Sequence, residues 1–183
     1  MKRAVFLDRD GVITQEPPYY AHKVEQLAVI PGAAQAIRKL NQKGFLVIII
    51  SNQAGIAHGY FKEENTAIFN RALARELKKD NAVIDKIYIC PHHPEAEVMK
   101  YRVKCDCRKP EPGLLIKAEK ELNIDLKTSF MVGDKKSDIE AGKRAGCKTI
   151  IVKTGQGQDQ LKNNAIDCDF VAKDLLDATG YIN

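Results

Sequence analysis

The sequence predicts an α/β protein in which helices cover both faces of an open, central parallel sheet, a three-layer α/β/α arrangement. Three observations predict it. Short β-branched runs alternate with helical stretches of about 10–18 residues, the pattern of repeated βαβ units. One run, Phe45 to Ile50, is continuously apolar, as expected of a central parallel strand buried on both faces. The polar residues most in need of explanation fall directly after such runs, on the rim where open α/β sheets bind ligands.

In chain order, Arg3 to Leu7 forms the first strand and ends at Asp8. Pro31 opens a helix to about Gln42, with Ala33, Ile37 and Leu40 at helical spacing and Gly44 as its stop. Phe45 to Ile50 is the second strand. Lys62 to Lys79 is helical, Lys86 to Ile89 a third strand, and Glu111 to Leu122 a further helix. Phe130 to Val132 and Thr149 to Val152 are strands with a helix, Ile139 to Ala145, between them, and Asp169 to Val171 makes a last short strand. Two segments, about 11–30 and about 91–110, are long and irregular, and the first is too short for a folded second domain. No linker or repeat divides the chain, so residues 1–183 are expected to form a single domain without a lid.

Composition excludes more than it selects. Hydrophobic content of 44% and charged content of 29% are ordinary for a globular chain, and 183 residues can bury a real core. The apolar runs fall far short of the roughly 20 residues of a membrane span. Acids follow Met1-Lys2-Arg3 too early for a signal peptide, so the expected location is the cytoplasm, with no membrane partner. The net charge of +5 comes from 29 basic against 24 acidic residues without a basic tail. That balance favours a small phosphorylated substrate over nucleic acid. A monomer is expected.

Asp8-Arg9-Asp10-Gly11 sets two carboxylates at a strand exit, where Gly11 permits a sharp departure. Hard oxygen ligands suit Mg²⁺, and the ion offsets their mutual repulsion. One carboxylate can attack phosphorus while the other handles the proton of the leaving oxygen. The plain alternative is a solvated acidic turn. Gly133-Asp134-Lys135-Lys136-Ser137-Asp138 supplies a second acidic cluster on the same predicted rim. Ser51, at the exit of the second strand, offers a hydroxyl and nearby N–H groups for phosphoryl oxygens. Lys109 can neutralise charge on a transferring group, and Pro110 restricts the backbone from which it starts.

Cys90-x-His92 and Cys105-x-Cys107 supply three thiolates and one imidazole, a complete tetrahedral set for structural Zn²⁺ with no open position. Unliganded thiols and a redox pair are the alternatives. The 90–107 loop has no apolar periodicity to anchor it, so a metal placed there would fix the adjacent Arg108 and Lys109. Cys147 reads as a buried thiol. Gly155-x-Gly157 is in the wrong context for a dinucleotide fingerprint and is given no cofactor role.

Asp8-Arg9-Asp10-Gly11-Val12, Ser51-Asn52-Gln53, Arg108-Lys109-Pro110 and Gly133-Asp134, in that order, resemble the four motifs of the haloacid dehalogenase (HAD) superfamily of phosphatases. Within it, Ile50 to Ala57, Gly59-Tyr60-Phe61 and Cys90-Pro91-His92-His93-Pro94 are similar to the heptose bisphosphate phosphatases. The resemblance implies a capless HAD-like (Rossmann-like) fold with a five-stranded sheet and a zinc-stabilised loop. It implies Asp8 as nucleophile and Asp10 as general acid, then base. Mg²⁺ would be held by Asp8, Asp134 and the main-chain oxygen of Asp10. Ser51 and Lys109 would grip the phosphoryl group, with Asn52 and Arg108 near the substrate. Apart from the resemblance, Arg108 and Lys135 or Lys136 have the charge to clamp a distal phosphate. Related phosphatases carry zinc at the residues matching Cys90, His92, Cys105 and Cys107. Asp138 would either touch the magnesium or order the Asp134 loop, and His58 stands where this group often has Arg. The substrate implied is a sugar bisphosphate. Histidinol phosphate is the nearest alternative, a polynucleotide end-repair phosphatase is disfavoured by length, and a catalytically silent binding module is the reading from another class.

Overall fold

Alternation along the strands decides where the core of this protein sits. The computed structural model describes residues 1–16 and 20–183. Among these, six strands form one parallel sheet: β1 (Ala4–Leu7), β2 (Leu46–Asn52), β3 (Lys86–Cys90), β4 (Phe130–Gly133), β5 (Lys148–Val152) and β6 (Phe170–Ala172). Val5 and Leu7 point to one face, with Val47, Ile49, Val132 and Ile150, while Ala4 and Phe6 point to the other, with Ile48, Ile50 and Met131. The first face is covered by α1 (Ala33–Gln42), α3 (Glu63–Lys78) and α7 (Leu175–Ala178), through residues such as Ile37, Leu40, Leu73 and Leu175. The second is covered by α4 (Gly113–Leu122) and α5 (Lys136–Ala145), through Leu114, Leu115, Ala118 and Ala141. Two short helices complete the set, α2 (Ala54–Ala57) and α6 (Gly157–Asn163). Both sheet faces are thus buried, which is why β1 and the centre of β2 are apolar without interruption.

The strand order is β3-β2-β1-β4-β5-β6. The chain moves outward from β1 in one direction, then returns to lay β4 on its other side. In a doubly wound sheet that reversal opens a crevice at the carboxyl ends of the two central strands. Register brings Leu7 level with both Ile49 and Val132, so the residues that follow β1 and β4 emerge together. No second folded unit interrupts these connections among the described residues.

The resemblance implied five strands, and the structure has six: β6 extends the sheet through Ile150↔Phe170, Ile151↔Val171 and Val152↔Ala172. The first helix begins at Ala33 and not at Pro31, because Gly32 has φ 85°, outside the helical region. Conversely α5 starts at Lys136, earlier than its apolar spacing indicates, because the Asp138 side chain accepts from Lys135 N at 3.0 Å and caps the first turn. Strand β2 runs on through Ser51 and Asn52, which pair with Ile89 and Cys90. The three short helices α2, α6 and α7 carry too few residues to show a helical period in sequence.

Candidate active site

Asp8, directly after β1, is held by its backbone and by one carboxylate oxygen. Its N–H donates to Val132 O at 3.0 Å, and Oδ1 accepts from Arg9 N at 2.8 Å. The same oxygen lies 2.9 Å from Lys109 Nζ. Asp8 Oδ2 has no partner among the described residues. Lys109 is itself buried and spans two acids, since Nζ also lies 2.7 Å from Asp138 Oδ1 and donates to Ile50 O at 2.8 Å. Burial pulls its pKa down, but the Asp138 and Asp8 carboxylates outweigh that and keep the ammonium above its ordinary value.

Asp134, after β4, is fully buried. Its Oδ2 accepts from Gln156 N at 2.8 Å, whereas Oδ1 has no hydrogen-bond partner. Carboxylate oxygens of Asp8, Asp134 and Asp138 lie within 4.8 Å of one another. Burial, opposed by Lys109, raises the pKa of Asp8 to about 6, and burial beside Asp8 raises Asp134 to about 8. A buried acidic cluster with an orphaned oxygen has the donor set and the electrostatic deficit that a hard divalent cation corrects. Two glycines make room for it. At Gly11, with φ 89°, an added Cβ would lie 2.2 Å from Asp134 Oδ2. At Gly155, with φ 57°, it would lie 2.3 Å from the same atom. Gly155 and Gln156 therefore pack the Asp134 carboxylate, a role that the spacing of a lone glycine pair did not reveal.

The Asp10 carboxylate turns away from this cluster. Its two oxygens accept from Arg9 Nε and Nη2, each at 2.9 Å, from Thr14 Oγ1 at 3.0 Å and from Gln53 Nε2 at 3.1 Å. Burial alone would raise its pKa, but the charge and hydrogen bonds of Arg9, with Gln53 and Thr14, hold it below the usual carboxylate range. Asp138 stands in the acidic cluster instead, with Oδ2 capping α5 and Oδ1 on Lys109. Gln53 also donates to Ser51 Oγ at 2.9 Å, so one amide ties the second motif to Asp10.

These residues surround a cavity of about 360 Å³, lined by Asp8, Asp10, Ser51, Asn52, Arg108, Lys109 and Lys135, together with Glu16 and Tyr20. A roomier hollow of about 640 Å³ lies elsewhere, between the start of α3 and the 98–101 turn, and is lined by none of these. Asn52 faces the cavity, but its amide is committed to the Lys109 main chain: Lys109 N donates to Asn52 Oδ1 at 3.1 Å and Asn52 Nδ2 donates to Lys109 O at 3.0 Å. Lys135 pairs with Glu16 at 2.9 Å, and Gln156 Nε2 donates to the second Glu16 oxygen at 2.9 Å. Glu16 carried no sequence signal, lying alone in an irregular segment.

Beside the cavity, Cys90, His92, Cys105 and Cys107 converge. Cys107 Sγ is 3.1 Å from both other sulfurs, Cys90 and Cys105 are 3.6 Å apart, and His92 Nδ1 is 3.4 Å from Cys107 Sγ. Ligand atoms about 3.5–3.8 Å apart are what a tetrahedral Zn²⁺ with bonds near 2.0–2.3 Å requires, so this cluster fits one ion after small adjustments. Arg108 Nη1 donates to His92 O at 3.2 Å, linking the cluster to the cavity wall.

A parallel α/β sheet with a buried aspartate and lysine at its switch point defines a hydrolase of the haloacid dehalogenase class, and the family described as "HAD-hyrolase-like" matches residues 106–178. Among curated relatives, the D-glycero-beta-D-manno-heptose-1,7-bisphosphate 7-phosphatase of Pasteurella multocida (strain Pm70) is 46% identical over 157 residues, covering 85% of this chain and 84% of its own. The D-glycero-alpha-D-manno-heptose-1,7-bisphosphate 7-phosphatase of Photorhabdus laumondii is 41% identical over 165 residues, covering 90% of each chain. The crystal structure of D,D-heptose 1,7-bisphosphate phosphatase from B. bronchiseptica, complexed with magnesium and phosphate, superposes with a TM-score of 0.88 at 31% identity, over 99% of this chain and 97% of that one. The chain belongs to the family of D-glycero-D-manno-heptose-1,7-bisphosphate 7-phosphatases.

Proposed function

We propose that this enzyme removes the C7 phosphate of D-glycero-D-manno-heptose 1,7-bisphosphate through an aspartyl-phosphate on Asp8, leaving the C1 phosphate in place. The observation that carries the mechanism is the Asp8–Lys109 pair. One Asp8 oxygen is fixed by Arg9 N and Lys109 Nζ, which leaves the other to attack phosphorus in the adjoining cavity. Lys109 and Ser51 then face the charge that builds on the phosphoryl oxygens. Asp10 would give a proton to the leaving oxygen and then take one from the water that attacks the aspartyl-phosphate. Its four donors describe the ionised, water-activating form, so acting as an acid requires it to gain a proton and one neutral donor, Gln53 or Thr14, to turn aside.

Asp8, Asp134 and the main-chain oxygen of Asp10 would hold Mg²⁺, and the unpartnered Asp134 Oδ1 supports that assignment. When bound, the ion would supply Lewis-acid neutralisation of phosphoryl charge. Cys90, His92, Cys105 and Cys107 would hold structural Zn²⁺, making residues 90–107 a metal-stapled loop within one catalytic domain spanning 1–183. Arg108 is the better clamp for the distal phosphate, because Lys135 is already paired with Glu16 while most Arg108 donors are uncommitted among the described residues. We assign the enzyme to the cytoplasm as a monomer. No helix among the described residues is long and apolar enough to cross a membrane.

Position-resolved phosphorus NMR on both anomers tests this reading, with histidinol phosphate assayed alongside. We expect loss of the C7 signal, with kcat/KM well above that for histidinol phosphate. Predominant loss of the C1 phosphate, or preference for histidinol phosphate, would overturn it.

A further inference from the structure

Among the described residues, Arg9 heads the fully buried side chains by size, yet it is charged. A guanidinium taken fully out of water persists only where its donors are used. Here Nε and Nη2 form a fork on the two Asp10 oxygens, each at 2.9 Å. Two of the three remaining donors reach Asn70 Oδ1 at 2.9 Å and Ala21 O at 3.1 Å, and the guanidinium lies 4.6 Å from the centre of the Phe69 ring. Arg9 therefore ties Asp10 to α3 and to the segment after β1. Neither Arg9 nor Ala21, Phe69 or Asn70 lines the active-site cavity, so none of them reaches substrate directly.

We propose that Arg9 is a positioning residue for the reaction: its fork fixes the plane and aim of the Asp10 carboxylate, with α3 as the anchor. The inference rests on Asp10 being the proton handler. A two-point fork resists rotation of the carboxylate, which a single ammonium cannot do. Thr14 and Gln53 each offer only one neutral donor to Asp10 and can yield during turnover, whereas the Arg9 fork stays fixed.

A purely structural ion pair and a positioning device differ in how they respond to the leaving group. The alcohol of a sugar phosphate needs a proton to depart, whereas the nitrophenolate of p-nitrophenyl phosphate does not. Because kcat/KM includes only the steps through leaving-group departure, it isolates that need. For Arg9→Lys we expect about a 30-fold loss on the sugar bisphosphate and under about 3-fold on p-nitrophenyl phosphate. Asn70→Ala keeps the Arg9–Asp10 pair and removes one anchor, with about a 5-fold loss on the sugar bisphosphate alone. Asn70→Ala decides the matter if Arg9→Lys fails to fold. Asp10→Asn is the reference and should show the same selectivity at larger amplitude. If Asp10→Asn slows both substrates equally, the assignment of Asp10 as proton handler fails. If Asp10→Asn is selective while the folded Arg9 and Asn70 variants slow both substrates equally or neither, the positioning role is overturned.

Discussion

The acidic rim and the Cys/His loop border the same cavity, but the sheet holds the first while four side-chain atoms hold the second. Asp8 and Asp134 leave neighbouring strands, and their separation follows from the register of Leu7 with Val132. By contrast, only Ala96 and Lys109 are buried between Pro91 and Pro110, so that stretch has almost no core of its own. What gathers it is the cluster of three sulfurs and an imidazole. Lys109 is where the two constructions meet: it follows the loop, its main chain is clipped by Asn52 at the end of β2, and its ammonium rests on Asp8 and Asp138. The comparison teaches that Asp8 is placed by the fold, whereas its cationic partner Lys109 is placed by the fold and the Cys/His cluster together.

The largest effect should come from the rim. Asp8→Asn is expected to lower turnover by about 10⁴-fold or more, because no other group takes over covalent attack. The apparent melting temperature without magnesium should not fall, since the change removes a carboxylate that burial and Asp138 disfavour as an ion. Trapping with a phosphoryl analogue checks the assignment, and label on any residue other than Asp8 would sink it.

Cys107→Ala attacks the other region. Its product should lack zinc and lose about 100-fold in activity through a misplaced Lys109, while hydrogen exchange quickens over residues 91–112 and not through β1 and β4. Exchange rising evenly across the sheet would break the distinction between the two regions. So would metal analysis showing no zinc in wild-type protein produced with adequate zinc.

Arg108→Ala probes the boundary between them, since Arg108 lines the cavity and donates to the main chain of His92. We expect about a 30-fold loss of kcat/KM on the bisphosphate, equivalent to about 2 kcal/mol, and little change on a small phosphate ester. Equal losses on both would assign Arg108 to the reacting phosphate, not the distal one.

The rim was legible in sequence because its residues follow apolar runs whose strand character is local. The cysteine and histidine cluster was legible because its ligand types are rare and paired at short spacing. What escaped was contact between residues with no pattern of their own. Arg9 meets Asn70 across the interval from β1 to α3, and Gln156 meets Asp134 from the far side of β5. Asn52 shows a subtler limit. Its position near the cavity was readable, but an amide at a strand end serves a ligand or a neighbouring main chain equally well, and only the geometry reveals that it clips Lys109. The last short strand was read within one residue of β6, whereas the start of α1 differs from expectation for an equally local reason, a left-handed glycine.

The smallest expected effect concerns how the rim tolerates its own charge. Without magnesium, the pKa values of Asp8 and Asp134 rise to about 6 and about 8, mainly through burial. Both groups therefore bind protons more tightly folded than unfolded. The stability they contribute is fully present below the unfolded carboxylate range, and it is lost as pH climbs through about 6 and then about 8. Magnesium held there would reverse this cost by binding the ionised carboxylates, so its stabilising increment should grow over the same interval. Protein dialysed free of magnesium, without a chelator that would also strip zinc, should gain several degrees in Tm on adding magnesium at pH 8.5. At pH 5.5 the gain should be small, on a scale of about 2–4 °C per kcal/mol for a chain of this size. The Cys107→Ala variant should keep the same pH dependence, because the acidic pair depends on strand register and not on the loop. An increment that is equal at both pH values would remove the acidic pair as the magnesium site. One that disappears in Cys107→Ala would show that the rim depends on the loop after all.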